Sequence, residues 1–202
     1  MSTTIVHLIR HGEVFNPDRI LYGRLPDYYL SSRGISQAHQ TAASLRGHDI
    51  TYVVSSPLER ARETAAPISE FSGVEVVVDE GVIEAGNRFE GLRVKSWRSQ
   101  LFHPRYWPLL TNPTRPSWGE AYSAIESRMM DAVERARIAA EGHEAVIVSH
   151  QLPIVCVQRS VQGKSLAHNP AARRCELASV TSLVFRDAKI IDMIYTEPSQ
   201  RI

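Results

Sequence analysis

In the stretch Thr4-Ile5-Val6-His7-Leu8-Ile9-Arg10-His11-Gly12-Glu13 an apolar run, Thr4 to Ile9, gives way to an arginine and a histidine. A run of this length, bounded by polar residues and glycine, suits the buried central strand of a parallel sheet. Ligands of open α/β sheets bind outside the carboxyl ends of the strands. Arg10 and His11 stand at such an end, and a cation beside an imidazole there points to phosphate chemistry.

Outward from this strand the chain repeats its pattern. Strand signals at Thr4 to Arg10, Tyr52 to Ser55, Val74 to Val78, Ala145 to Ser149, Ser179 to Phe185 and Ile190 to Tyr195 alternate mostly with helical periodicity, which builds a layered α/β sheet. A first helix is predicted from an N-cap at Ser31 or Ser32, through Ile35, Ala38, Ala42 and Leu45 on one face, to Gly47. A second opens with Pro57 at its first position and runs through Leu58, Ala61, Ala65 and Ile68 to Gly73. A third, between Gly119 and Gly142, places Ala121, Ile125, Met129, Ala132, Val133 and Ala136 on its buried side.

The 202 residues fit a single domain, residues 1–202, interrupted at about 92–118. There the periodicity gives way to Trp97, Phe102, His103, Tyr106, Trp107 and the prolines Pro104, Pro108, Pro113 and Pro116. Irregular segments longer than about 12 to 15 residues usually serve binding or act as lids, and this one reads as a loop or lid insertion. Composition is that of an ordinary globular protein, 43% hydrophobic and 22% charged, with a mean hydropathy of -0.21. A net charge of +1 gives no basis for nucleic acid or an anionic membrane as partner. No stretch approaches the roughly 20 apolar residues of a membrane span, and the N-terminus has no signal-peptide pattern, so a cytoplasmic location is expected. Cys156 and Cys175 read as ordinary thiols.

Three further strand ends carry chemistry. Tyr52 to Ser55 leads into Ser56-Pro57-Leu58-Glu59-Arg60, which puts Arg60 in a first helical turn, where free backbone N–H groups also favour an anion. Ala145 to Ser149 ends in His150. The strand from Val74 leads through Asp79 and Glu80 to Glu84 and then Phe89-Glu90-Gly91. The remaining histidines need no catalytic role: His7 reads as a buried hydrogen-bonded group of the central strand, and His39 and His48 as surface residues. No metal-ligand spacing involves His11 or His150, and no cofactor is expected.

With these residues in place the chain resembles the histidine phosphatase superfamily, the phosphoglycerate-mutase-like fold. Arg10-His11-Gly12-Glu13 matches its signature. The match continues through Gly23-Arg24-Leu25-Pro26-Asp27, Leu30-Ser31, Gly34, Gln37-Ala38, Ser55-Ser56-Pro57-Leu58, Arg60-Ala61, Thr64-Ala65, Phe89-Glu90-Gly91 and Ser149-His150. The resemblance implies a three-layer α/β/α sandwich with a mostly parallel central sheet. It implies that His11 is the nucleophile, that Arg10, Arg60 and His150 hold the phosphoryl group, and that an acid at about Glu84 protonates the leaving group. The spacing from Glu84 to Phe89-Glu90-Gly91 is one residue shorter than the common pattern, so Glu80 and Glu13 stay open as donors. Asn16, displaced by one residue, is the candidate for a phosphate-contacting asparagine.

Neutral imidazole is nucleophilic at physiological pH, and phosphoryl transfer depends mainly on positioning and electrostatic stabilisation of the non-bridging oxygens. Two guanidiniums and a second imidazole can supply both without a metal. The expected activity is hydrolysis of a small phosphorylated metabolite through a phosphohistidine. Transfer of the mutase type is the alternative, although mutases of this family have longer chains. A non-catalytic phosphate-binding module is the other, although both histidines and both arginines are retained. Gly23, Arg24, Arg105 and Trp107 are candidates for substrate specificity at the mouth of the site. The last strand, at a sheet edge, is open to pairing with a second copy as a homodimer.

Overall fold

A computed structural model of the chain describes residues 2–93 and 119–200. Most of the expected insertion, with Arg105 and Trp107, lies outside the described residues. Six strands form one sheet in the order β3-β2-β4-β1-β5-β6. They are β1 (Thr3–Arg10), β2 (Ile50–Ser55), β3 (Val76–Val78), β4 (Glu144–Ser149), β5 (Val180–Arg186) and β6 (Lys189–Thr196). The first four run parallel, and β5 and β6 join antiparallel beside β1. The sheet is thus mostly parallel, and β6 occupies its edge as the sequence suggested.

Side chains alternate across the strands, so each face acquires its own core. Val6, Leu8, Ala145, Ile147 and Leu183 pack against α3 (Tyr122–Ala139) and α4 (Gln151–Val161). Ile9, Val53, Val146, Val148 and Val180 pack against α1 (Ser32–Ser44) and α2 (Glu59–Ser72). Three layers result, and the strand residues of both cores are almost fully excluded from water.

The helices depart from the periodicity reading in detail. Ser31 caps α1 through a bond from the Gly34 N–H, but Ile35 is 49% exposed and Gln37 and Thr41 are buried instead. The reason is polar: Gln37 Oε1 accepts from the Glu13 N–H, and Thr41 Oγ1 donates to the Ala178 carbonyl, so the helix turns hydrogen-bonding groups toward the loops that follow β1 and precede β5. Helix α2 begins at Glu59, with Pro57 just outside it, because the Ser56 N–H still bonds to Val148 and prolongs the line of β2. Ala121 is exposed and Tyr122 takes the buried place at the start of α3. Cys156 on α4 and Cys175 before β5 are buried and unpaired. Burial pushes their thiols up to about 12 and about 11, so both are inert at neutral pH.

Candidate active site

The parallel strands finish level with one another. Arg10 pairs in register with Ser149, and Ser55 with Val148. The next residue after β1 is therefore His11 and the next after β4 is His150, whose rings lie 5.1 Å apart between centroids. Both are almost completely buried. His11 Nδ1 is 2.8 Å from the Gly12 carbonyl. A carbonyl only accepts, so Nδ1 carries the proton and Nε2 presents a bare lone pair. Burial, then the charges of Arg60 and Arg10, hold this ring well below the usual histidine range. His150 is depressed too, by burial first and then by His11, Arg60 and Arg10; its Nε2 meets Ser56 Oγ at 2.7 Å.

Arg60 reaches this pair from the first turn of α2 and is fully buried. One Nη donates to the Gly23 carbonyl at 2.6 Å and stands 3.5 Å from His150 Nδ1. The Tyr22 ring covers its guanidinium at 4.7 Å. Arg10 donates one Nη to the Cys175 carbonyl at 2.6 Å. Arg10 Nε, Arg60 Nε and Arg60 Nη1 are buried with no hydrogen-bond partner among the described residues. Each orphaned donor costs about 1–3 kcal/mol, more for a charged group, so this concentration marks a place prepared for an anion.

The segment after β3 carries the candidate acid, Glu84. Ser149 Oγ donates to the Val82 carbonyl and Arg128 to the Gly81 carbonyl, fixing the chain beside β4 as it arrives at Glu84. Glu84 lines the same cavity as Arg10 and His11, a space of about 900 Å³. Burial raises its carboxyl above the ordinary range, against the Ala85 N–H and the charges of Arg60, Arg10 and Arg173. The other two candidate donors are placed differently. Glu80 is exposed and does not line the cavity, and Glu13, though at its wall, accepts from Ser31 Oγ at 2.7 Å and stands 3.4 Å from Arg33.

Of the remaining candidates, Gly23 sits at the wall with φ +43°, where a Cβ would come within 2.2 Å of Glu90 Oε1. Asn16 also lines the cavity, but its amide closes a short loop, with Oδ1 and Nδ2 both bonded to the backbone of Ile20. Arg24 donates to the Glu84 carbonyl at 2.6 Å and to Glu120 at 2.8 Å, tying the acid-bearing segment to the loop after β1. Sequence reasoning passed over Arg173. It lines the cavity, its Nε donates to His168 Nε2 at 2.9 Å, and no carboxylate pairs with it among the described residues. His168 is itself turned by a 2.6 Å bond to the Leu166 carbonyl and lies against Tyr122, another cavity residue. The stretch from Gly163 to Ala178 has no periodicity to announce such a residue.

Comparison with known proteins agrees with this fold. The sequence profile of the Histidine phosphatase superfamily (branch 1) matches residues 6–192. Uncharacterized protein Rv0525 of Mycobacterium tuberculosis is 48% identical over 196 residues, covering 97% of both chains. Probable phosphoglycerate mutase GpmB of Escherichia coli is 30% identical over 168 residues, covering 78% of this chain and 74% of the relative. Among solved structures, the mycobacterial glucosyl-3-phosphoglycerate phosphatase Rv2419c in complex with VO3 superposes with a TM-score of 0.74 at 24% identity, covering 96% and 97% of the two chains.

Proposed function

Since the chain belongs to the histidine phosphatase superfamily, we propose that it hydrolyses a small phosphorylated metabolite through a phosphohistidine on His11, without a metal, in the cytoplasm. The observation that carries this reading is a pair of buried guanidiniums, Arg10 and Arg60, that keep orphaned N–H groups and whose charges act on the His11 ring with its bare Nε2. A phosphoryl group between them satisfies those donors and places phosphorus before the nucleophile. His11 Nε2 then forms the P–N bond as the P–O bond to the leaving group breaks, and the raised carboxyl of Glu84 gives its proton to the departing oxygen. In the second half Glu84 takes a proton from water, the water oxygen attacks phosphorus, and the P–N bond breaks to release inorganic phosphate. His150, neutral in the free site, gains a reason to hold a proton once the dianion sits beside it.

Arg173 is the residue we assign to a second anionic group on the substrate, because it lines the cavity, its fork is held at Nε by His168, and no carboxylate pairs with it among the described residues. The name of the GpmB relative favours one other reading, return of the phosphoryl group to a bound acceptor in place of water. Hydrolysis of p-nitrophenyl phosphate and a phosphomonoester panel, measured in EDTA for wild type and His11→Ala, tests the proposal. Turnover that survives the chelator and vanishes in the variant, with an acid-labile phosphoenzyme trapped only in wild type, supports it. No turnover above the variant's on any ester overturns it.

A further inference from the structure

On the central strands β1 and β4, toward the amino-terminal ends and away from His11 and His150, a second cluster of chemically active groups has no part in the proposed hydrolysis. His7 projects from β1, Glu144 opens β4, and His48 lies in the turn between α1 and β2. His7 Nε2 lies 2.6 Å and His48 Nδ1 2.7 Å from the same carboxylate oxygen, Glu144 Oε2. We propose that His7, His48 and Glu144 form a binding site for a transition-metal dication of the zinc class, which pins the turn after α1 to the sheet.

The three ligand atoms lie within 4.8 Å of one another, and two imidazole nitrogens with one carboxylate oxygen suit zinc, cobalt or nickel over magnesium or calcium. Charge points the same way. Glu144 is largely buried, and its ion-pair partners among the described residues are the two imidazoles, with no lysine or arginine. With neutral rings the cluster keeps a net negative charge, which a dication balances. Ser182 Oγ stands 2.8 Å from His7 Nδ1. When it accepts from that nitrogen it leaves Nε2 bare for the metal, the usual outer support of a ligating histidine. His48 is 38% exposed and leaves an entry path and room for water as a further ligand. The hydrogen-bonded donors must spread, since tetrahedral bonds of about 2.0–2.1 Å separate ligand atoms by about 3.3 Å; the exposed His48 ring can supply that movement. The neighbouring His143–Asp49 pair, 2.6 Å apart, offers only two donors and is exposed.

The experiment uses the full chain stripped with EDTA, then titrated with zinc and with cobalt by calorimetry and absorption. One equivalent should bind to wild type and equally to His11→Ala, with cobalt showing the visible bands of a low-coordinate N/O site. Affinity should fall about tenfold or more in His48→Gln and in Glu144→Gln. In His48→Gln, hydrolysis of p-nitrophenyl phosphate in EDTA should be unchanged. No uptake by wild type, uptake that survives His48→Gln, or uptake lost in His11→Ala overturns the proposal, the last by moving the metal to the catalytic histidines.

Discussion

Arg60 is a buried arginine with two nitrogens unpartnered among the described residues, an arrangement that costs stability until a ligand uses them. Lysine at this position keeps the charge but offers one ammonium, which cannot both hold the Gly23 carbonyl and fork a phosphate. Arg60→Lys should lower kcat/KM for p-nitrophenyl phosphate by about 100-fold or more, while the melting temperature moves little; an unchanged rate would remove Arg60 from the site. Arg173→Gln should separate substrates instead. For a phosphomonoester with a carboxylate, such as 3-phosphoglycerate, kcat/KM should fall about tenfold or more, and for p-nitrophenyl phosphate hardly at all. Equal losses on both would show that Arg173 grips no second anion. The two arginines also differ in legibility. Arg60 stands where an apolar run meets a helix start, so position alone marks it as a candidate for an anion. Arg173 lies in an irregular segment, and its role depends on the long-range placing of His168 and Tyr122. Arg24, at the same apparent mouth, spends its donors on Glu84 and Glu120, a commitment that no local pattern encodes.

The junction of β1 with α1 depends on two glycines in mutual contact. A Cβ on Gly34 would stand 2.0 Å from the Glu13 carbonyl oxygen, and one on Gly12 would stand 2.6 Å from the Gly34 carbonyl oxygen. Backbone cannot swing away as a side chain can, so the helix start would have to back off from the strand end. Overpacking of this kind costs about 1–3 kcal/mol. Gly34→Ala should therefore lower the unfolding free energy by that amount in urea. It should also slow hydrolysis, because the shift disturbs the Gly12 carbonyl that sets the His11 tautomer; full stability with full activity would show that the junction yields freely. Strands and helix existence were readable here because burial imposes period 2 or 3.6 on apolar residues. Which face of α1 turns inward was not, since buried Gln37 and Thr41 are chosen by hydrogen bonds to Glu13 and Ala178 that lie far off in sequence.

Across the whole molecule, neutral histidines held in a buried, cationic site link folding to acid. His11 and His150 stay unprotonated in the folded chain well below the usual range, whereas in the unfolded chain they take up protons near pH 6.5. Just below that pH the unfolded state binds more protons, so stability falls as pH falls, by up to about 1.4 kcal/mol per pH unit for each ring. Glu84 acts in the opposite sense: between the ordinary carboxyl value and its raised one, the folded state holds a proton that the unfolded state has lost, which favours folding. Two rings outweigh one carboxyl, and wild type should lose stability steadily from pH 7 to pH 5. His11→Ala removes one ring, so the same descent should be shallower for the variant by about one proton, in urea unfolding followed across that range. Parallel profiles for the two proteins would mean that His11 titrates normally in the fold. The proposed hydrolysis needs a bare His11 beside a protonated Glu84, and the lowered histidine and the raised carboxyl both favour that pair. Activity on a phosphomonoester should therefore fall as pH rises through the raised Glu84 carboxyl, and a kcat profile that stays level on the alkaline side would take Glu84 out of the acid role.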